Sequence, residues 1–485
     1  MAETVRNKAI KGAGWSFADN IINQGITFLV GLVLARLLTP EEYGLIGIIT
    51  IFTSLFNSIV DSGFSNALIR KNDAKDIDYN TVFITNMVLS VVLFLILFFC
   101  ASAISRFFNQ PQLLPLTKVM ASIVIINAFA IIQRAIFVKN VDFKTQTKVS
   151  VISSISSGVI GVVMAVLGYG VWSLVGQQIS RQLLNSVFLW GYSNWYPKLQ
   201  FSVKSFKELF SFGWKLLVSG LIDTVWKDIY QVVIGKCYNA DTLGQYTRAQ
   251  QFGSIFSSNL TSVVQRVSYP VLSQIQDDKA RLKYAYQKVI KVTMLITFSC
   301  MLGLCAIAEP MILTLIGRQW LPAVPFLQII CLQMMLYPLH AINLNMLQVQ
   351  GRSDLFLKLE IIKKIIAIGP LLLGIFVNIY WMLWSSVMTS CFAYYLNAFY
   401  SGRFLNYSIG EQLKDILPSF GVAAVMSVLV LSISFFSLPA ELLLMIQLLV
   451  GFIIVLGLCE IFKLDSYIEI KGIVLSYINK RRNGE

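Results

Sequence analysis

Between its hydrophobic runs this chain places Lys and Arg in every second loop. One set of loops carries Arg6, Lys8 and Lys11, then Arg70, Lys71 and Lys75, then Lys139, Lys144 and Lys148, then Lys198, Lys204 and Lys207. The set continues with Lys279, Arg281, Lys283 and Lys288, then Arg352, Lys358, Arg403 and Lys414. It closes on Lys463, Lys471, Lys480, Arg481 and Arg482, 25 cations together. The loops between them hold only Arg106, Lys236 and Arg318. Short loops rich in Lys and Arg stay on the cytoplasmic side of a membrane. The alternation therefore predicts both the number of crossings and their direction, with the two termini cytoplasmic.

The runs are long enough to cross. Residues 79–105, 149–180, 365–402 and 416–440 carry no charge, and about 20 apolar residues span the hydrocarbon core. The second and third runs exceed that length and contain turn signals, Gly168-Tyr169-Gly170 and Asn378, so each reads as a helical hairpin. The expected fold is all-α, a polytopic membrane protein of about 14 transmembrane helices. The expected spans are 12–38, 42–67, 80–105, 113–138, 146–168, 171–193 and 206–236, then 243–270, 284–308, 322–349, 355–377, 379–402, 413–436 and 440–462. The first span carries Asp19, Asn20, Asn23 and Gln24 and no small-residue cleavage site follows it, which reads as a retained helix.

Two sets of six spans look related. Gly14-Trp15 opens the first span and Gly213-Trp214 the seventh, and Tyr43-Gly44 and Leu243-Gly244 end the corresponding turns. Two six-helix lobes in the same orientation form a recurrent transporter architecture, although Gly and Trp also coincide by chance in polytopic chains. The expected division is an N-terminal lobe 1–193, a cytoplasmic linker 194–205, a C-terminal lobe 206–403, and two further helices with a cytoplasmic tail, 404–485. In the linker region, Ser205 and Glu208 match the spacing of a capping box.

Polar residues concentrate in the first two spans of each set. Span 2 carries Thr50, Thr53, Ser54, Asn57, Ser58, Asp61, Ser62 and Ser65 at steps of three and four, and so on one face. Span 8 repeats this with Arg248, Gln251, Ser254, Ser258, Thr261, Ser262 and Gln265. Span 1 adds Asp19, Asn23 and Thr27, and span 7 adds Lys215, Ser219, Asp223 and Lys227. Hydrogen bonds between helices account for many uncharged residues of this kind. They account less well for charges, each costing about 2.5–3.5 kcal/mol at the bilayer centre on insertion scales. A water-filled cavity would solvate them, while Asp223 and Lys227 lie four apart on one face. Arg134, Arg181, Arg266 and Lys291 are harder to place, and snorkelling to the cytoplasmic interface accounts for several. Glu360, Lys363 and Lys364 read as a solvated helix start, and His340 as a packed, hydrogen-bonded histidine.

Other functions find little support. The net charge of +14 is spread over cytoplasmic loops without a nucleic-acid-reading motif, so anionic lipid headgroups suit it better than nucleic acid. Cys100, Cys237, Cys300, Cys305, Cys331, Cys391 and Cys459 form no CxxC pair and suggest neither disulfides nor a metal site. Asp76-Ile77-Asp78 spells the DxD of some glycosyltransferases, but its short loop has no domain to hold a nucleotide. No phosphate loop or nucleophile–base arrangement occurs, so neither an enzyme nor a cofactor is expected.

Four motifs carry a family resemblance: Lys11-Gly12-Ala13-Gly14-Trp15, the ten residues Ala35-Arg36-Leu37-Leu38-Thr39-Pro40-Glu41-Glu42-Tyr43-Gly44, then Asp61-Ser62-Gly63-Phe64, and Gly244-Gln245-Tyr246-Thr247-Arg248-Ala249. In these the chain resembles bacterial polysaccharide flippases of the Wzx type, within the multidrug/oligosaccharidyl-lipid/polysaccharide exporter superfamily. The resemblance implies two six-helix lobes plus two helices in the bacterial inner membrane. It also implies alternating access that moves undecaprenyl-diphosphate-linked oligosaccharide from the cytoplasmic to the outer leaflet, and leaves room for other polysaccharide-assembly proteins as partners. Cationic cavity residues of the family meet the diphosphate, and the matching position here is Arg248. Stripe geometry adds Lys215, Lys227 and Arg36 as candidates, with Asp19, Asp223, Asn23, Asn57 and Gln251 as polar cavity residues; Asp61 matches a family position without an assigned role. The last two helices are candidates for an apolar path for the polyprenyl tail. The rival functions are a cation-coupled multidrug exporter of the same superfamily and a membrane glycan polymerase or ligase.

Overall fold

The computed structural model describes residues 2–61, 63–71, 73–436 and 438–482. Ser62 of the expected polar stripe lies outside them, and Arg6, Lys8, Lys11, Lys480, Arg481 and Arg482 lie outside the residues whose side chains are described. The fold is all-α, and no strand occurs among the described residues. The chain packs into two compact units, Met1–Gly244 and Gln245–Glu485. That division falls one segment beyond the expected linker 194–205.

The first unit holds α1 (Ala2–Leu37), α2 (Pro40–Asp61), α3 (Phe64–Arg70), α4 (Asp76–Phe108), α5 (Leu113–Met120), α6 (Ser122–Lys139), α7 (Phe143–Val166), α8 (Trp172–Tyr192) and α9 (Val203–Cys237). Helix α10 (Ala240–Gln274) begins in this unit and runs on into the second. The second unit continues with α11 (Lys279–Ala306), α12 (Ala308–Leu315), α13 (Ala323–Met334), α14 (Tyr337–Val349) and α15 (Ser353–Ile366). It ends with α16 (Ile368–Phe376), α17 (Ile379–Leu405), α18 (Ile409–Ile433), α19 (Ala440–Ile461) and α20 (Asp465–Arg482). Nine helical stretches among the described residues are long and apolar enough to cross a membrane. They coincide with expected spans 1–5, 9, 10, 13 and 14. The other five expected spans fall on α8, α9, α10, α15 with α16, and α17, whose polar side chains separate them from the apolar group.

Local chemistry explains the helix ends. Thr39 and Glu42 exchange hydrogen bonds across the start of α2, Thr39 N–H to Glu42 Oε2 at 2.7 Å and Glu42 N–H to Thr39 Oγ1 at 3.4 Å, with Pro40 at the first helical position, where its missing N–H costs nothing. Asn239 plays the same part for α10, accepting from Thr242 N–H at 2.7 Å. A full capping box opens α18, formed by Ser408 and Glu411. The expected box at Ser205 and Glu208 is corrected: Ser202 caps α9, accepting from Ser205 N–H at 3.2 Å. Glu208 instead meets Lys71 at 3.0 Å. A helix cap must precede the first turn, and α9 starts three residues earlier than the box required.

Several expected single helices are broken. Span 10 divides into α13 and α14, with Pro338 in the first turn of α14, because proline lacks the N–H that would continue the ladder. Span 2 divides at Gly63, whose φ of 71° suits glycine, before α3. In the first unit α2 packs on α6 and α9, α7 on α1 and α8, and α4 on α6 and α9. Glycines permit the closest approaches. A Cβ on Gly44 would sit 1.7 Å from the Ala240 carbonyl oxygen, and one on Gly244 would sit 1.8 Å from that of Pro40. The starts of α2 and α10 thus meet backbone to backbone. The core of the second unit gathers Tyr286, Met294 and Phe298 of α11 with Leu339 and Ile342 of α14, Ala398 of α17 and Ala423 of α18.

Candidate functional site

In the first unit the polar side chains form linked groups. Asn23 Nδ2 donates to Asp19 Oδ1 at 2.6 Å, and Ser154 Oγ donates to Asn23 Oδ1 at 2.7 Å, tying α1 to α7. Ser150 also bonds to Asp19, and Arg181 of α8 acts on it through space. A second group joins three helices: Gln182 Nε2 of α8 donates to Asn127 Oδ1 of α6 at 2.7 Å, and Asn127 Nδ2 donates to Asn57 Oδ1 of α2 at 3.1 Å. One turn along α2, exposed Asp61 accepts from Ser65 Oγ at 2.9 Å and is the carboxylate that acts on Arg134 of α6.

Helix α9 turns one face to α2, where Ser54 Oγ donates to Asp228 Oδ2 at 2.9 Å. Lys215, Ser219, Asp223 and Lys227 are exposed at steps of four along α9. Arg36 is exposed at the end of α1. At α10 the picture differs. Arg248 is only 5% exposed; its Nη1 donates to Gln251 Oε1 at 2.6 Å, and its guanidinium lies 5.5 Å from the ring centre of fully buried Trp320. That distance suits a cation–π contact.

The structure thus joins Asp19 to Asn23 and Arg248 to Gln251, and arrays Lys215, Asp223 and Lys227 along one helix. It adds residues that sequence reasoning missed. Asp228, beside Lys227, is a further charge in span 7 that could have been found in the sequence. Asn127, Gln182, Ser150 and Trp320 sit in segments that look uniformly apolar or unremarkable, and only the packing reveals them. His340 Nε2 lies 3.0 Å from Ser390 Oγ, and Lys363 pairs with Glu360. Asp78 of the DxD triplet is 2% exposed, accepts the Lys75 N–H at 3.0 Å and meets Lys71 at 3.3 Å, which makes it a helix cap. All seven cysteines are free, and no group of three or more His, Cys, Asp or Glu suited to a metal occurs among the described residues.

A family model described as "Polysaccharide biosynthesis protein" matches residues 33–325. The chain belongs to this polysaccharide biosynthesis protein family. Among its relatives, the succinoglycan biosynthesis transport protein ExoT of Rhizobium meliloti is 27% identical over 333 residues, 68% of this chain and 67% of that one. The teichuronic acid biosynthesis protein TuaB of Bacillus subtilis is 23% identical over 484 residues, covering 97% and 98%. The lipopolysaccharide biosynthesis protein WzxC of Escherichia coli is 25% identical over 377 residues, 76% of each chain. Among solved structures, the lipid II flippase MurJ in an inward closed conformation superposes with a TM-score of 0.75 at 15% identity, covering 93% of this chain and 98% of that one. An inward-facing multidrug resistance MATE transporter of the MOP superfamily gives 0.59 at 16%, covering 79% and 94%. These likenesses show the fold: the family member described here is a multi-pass membrane protein with the helical architecture of MurJ and MATE transporters.

Proposed function

We propose that the protein is a flippase that moves undecaprenyl-diphosphate-linked oligosaccharide from the cytoplasmic to the outer leaflet of the bacterial inner membrane. Two sequence-related lobes, 1–193 and 206–403, alternate access, and the two helices beyond them take the polyprenyl tail. All 14 expected spans cross the membrane, and both termini are cytoplasmic. The observation that carries this reading is the exposed row Lys215, Ser219, Asp223 and Lys227 on α9, beside Gly220 and Asp228, which meet α2. Facing acyl chains, these charges would each cost several kcal/mol, about 2.5–3.5 on insertion scales; bordering water, they cost little. In the first unit a wet face bearing cations suits an anionic headgroup, Asn23 and Asn57 suit sugar hydroxyls, and Arg36, Asp19 and Asp61 complete the set. In the second unit the candidates are Arg248 for phosphate and Gln251 for sugar hydroxyls. The relatives' roles in succinoglycan, lipopolysaccharide and teichuronic acid biosynthesis, as their names give them, support the polysaccharide setting.

The test uses vesicles holding the purified full chain and a fluorescent undecaprenyl-diphosphate-linked sugar, with a membrane-impermeant quencher outside. Wild type speeds the exposure of inner-leaflet label, and Lys215→Ala with Lys227→Ala slows it at equal reconstitution. Wild type without effect on this lipid, but active in ethidium efflux, would replace the reading by a drug exporter.

A further inference from the structure

The first unit contains a guanidinium that makes no hydrogen bond or ion pair among the described residues. Arg134 lies on α6, half-buried, between core residues Ile131 and Ala135. Its backbone carbonyl accepts from Gln146 Nε2 at 3.3 Å, which fixes the turn that carries it. Among the described residues its side chain makes no hydrogen bond and no ion pair; Asp61 acts on it only through space, and Asp61 itself accepts from Ser65 at 2.9 Å. An arginine in a membrane-spanning helix without a bonded carboxylate is costly, and its five donors in a planar fork match phosphate oxygens. Arg134 stands five residues before the end of α6 at Lys139, hence about 7.5 Å below that end at 1.5 Å per residue. Lys139 belongs to a loop expected on the cytoplasmic side, so this depth is close to that of lipid phosphates in the inner leaflet.

Two turns deeper on α6, about 10 Å along the axis, lies Asn127, the centre of the relay from Gln182 through Asn127 to Asn57. Each amide in the relay uses one group on its neighbour. The α2 end therefore keeps the Asn57 Nδ2 donors and the α8 end keeps the Gln182 Oε1 acceptor. A donor and an acceptor held apart by a rigid bridge suit the hydroxyls of one sugar ring, since each hydroxyl both gives and takes a hydrogen bond. Seven residues separate Asn127 from Arg134, two helical turns, so the relay and the guanidinium share one face of α6.

We propose that Arg134 and the Gln182–Asn127–Asn57 relay form a substrate subsite inside the first unit, which takes the diphosphate and first sugar of the lipid-linked donor. The subsite rests on the flippase reading and deepens it by placing the headgroup between α2, α6 and α8. A diphosphate also occurs as free pyrophosphate, and anionic phospholipids offer a single phosphate, so the experiment separates these sources.

The full chain in nanodiscs is titrated with undecaprenyl diphosphate, undecaprenyl monophosphate, phosphatidylglycerol and inorganic pyrophosphate, and binding is read by native mass spectrometry. Loss of a charge-assisted hydrogen bond predicts that Arg134→Gln weakens undecaprenyl diphosphate by about tenfold or more and leaves phosphatidylglycerol within about twofold. Arg134→Lys keeps the charge without the fork and retains part of the binding while losing preference for diphosphate over monophosphate. Gln182→Leu, titrated in addition with a sugar-bearing undecaprenyl diphosphate, leaves the bare diphosphate unchanged but weakens the sugar-bearing form. Unchanged diphosphate binding in Arg134→Gln overturns the subsite, as does an equal loss for all four ligands. Should Arg134→Gln fail to fold, Arg134→Lys decides alone, and retention of full diphosphate preference overturns the proposal. Failure of the flippase reading shows itself separately, in wild-type protein that does not move the glycolipid.

Discussion

Replacing Gly44 by Ala places a methyl group where the structure has backbone. The new Cβ would stand 1.7 Å from the Ala240 carbonyl oxygen and 2.5 Å from its carbonyl carbon. Ordinary contact begins near 3.4 Å, so the starts of α2 and α10 must part by well over 1 Å, and no side chain can rotate out of the way. Overpacking of this kind costs about 1–3 kcal/mol, occasionally more. A rigid backbone obstacle on both sides puts Gly44→Ala at the top of that range, about 3 kcal/mol, or roughly a hundredfold in the folded ratio. Gly244→Ala, 1.8 Å from the Pro40 carbonyl oxygen, meets the same seam and loses about as much. Because either methyl already separates the helices, the double variant costs less than the two single losses together. Gly25→Ala is the control: nothing lies within 4 Å of its Cβ, and alanine in a helix interior gains about 0.5–1 kcal/mol over glycine. The assay is SDS titration of purified protein in mixed micelles, followed by gel filtration. A Gly44→Ala midpoint equal to that of Gly25→Ala would refute the backbone contact, and strictly additive losses would refute its sharing by the two glycines.

Three further outcomes follow from the same kind of reasoning. Lys71→Ala leaves Asp78, 2% exposed, with its Lys75 and Ser205 hydrogen bonds but no cation, and costs about 3 kcal/mol by SDS titration, whereas Glu208→Ala, with a side chain 55% exposed, costs within about 1 kcal/mol. Burial alone would lower the Lys71 ammonium, but hydrogen bonds and charge from Glu208 and Asp78 hold it above its usual 10.5. A raised folded value gives stability that is full below 10.5 and lost as pH rises through the folded value, so the gap between wild type and Lys71→Ala narrows in strongly alkaline buffer. Ser408→Ala removes the capping box of α18 and lowers thermal stability by about 1 kcal/mol; no change in the melting profile would contradict the box.

Much of the architecture was legible because membranes impose few rules. Run length and the all-α character could be read from the residues alone, since neither depends on distant contacts. The breaks were less legible: Pro338 lies in a run apolar enough to read as one helix, and Gly63 in a stripe continuous enough to hide a turn. Ser205 and Glu208 had the spacing of a cap but not the place, because Ser202 stands three residues earlier and the spacing rule cannot choose between successive serines. For the site, charged residues such as Lys215 and Asp223 stood out by their cost. Asn127 and Gln182 did not, since a single amide in an apolar helix takes its meaning from the two neighbours it meets, and those lie far away in sequence.

Where Gly44 meets Ala240, Gly244 meets Pro40, so each partner of one pair lies 200 positions from its counterpart in the other. Self-complementary exchange of this sort is how identical copies join across a two-fold axis. Each glycine faces the carbonyl at the opening of the other helix, so the joint has no side that can be repacked alone.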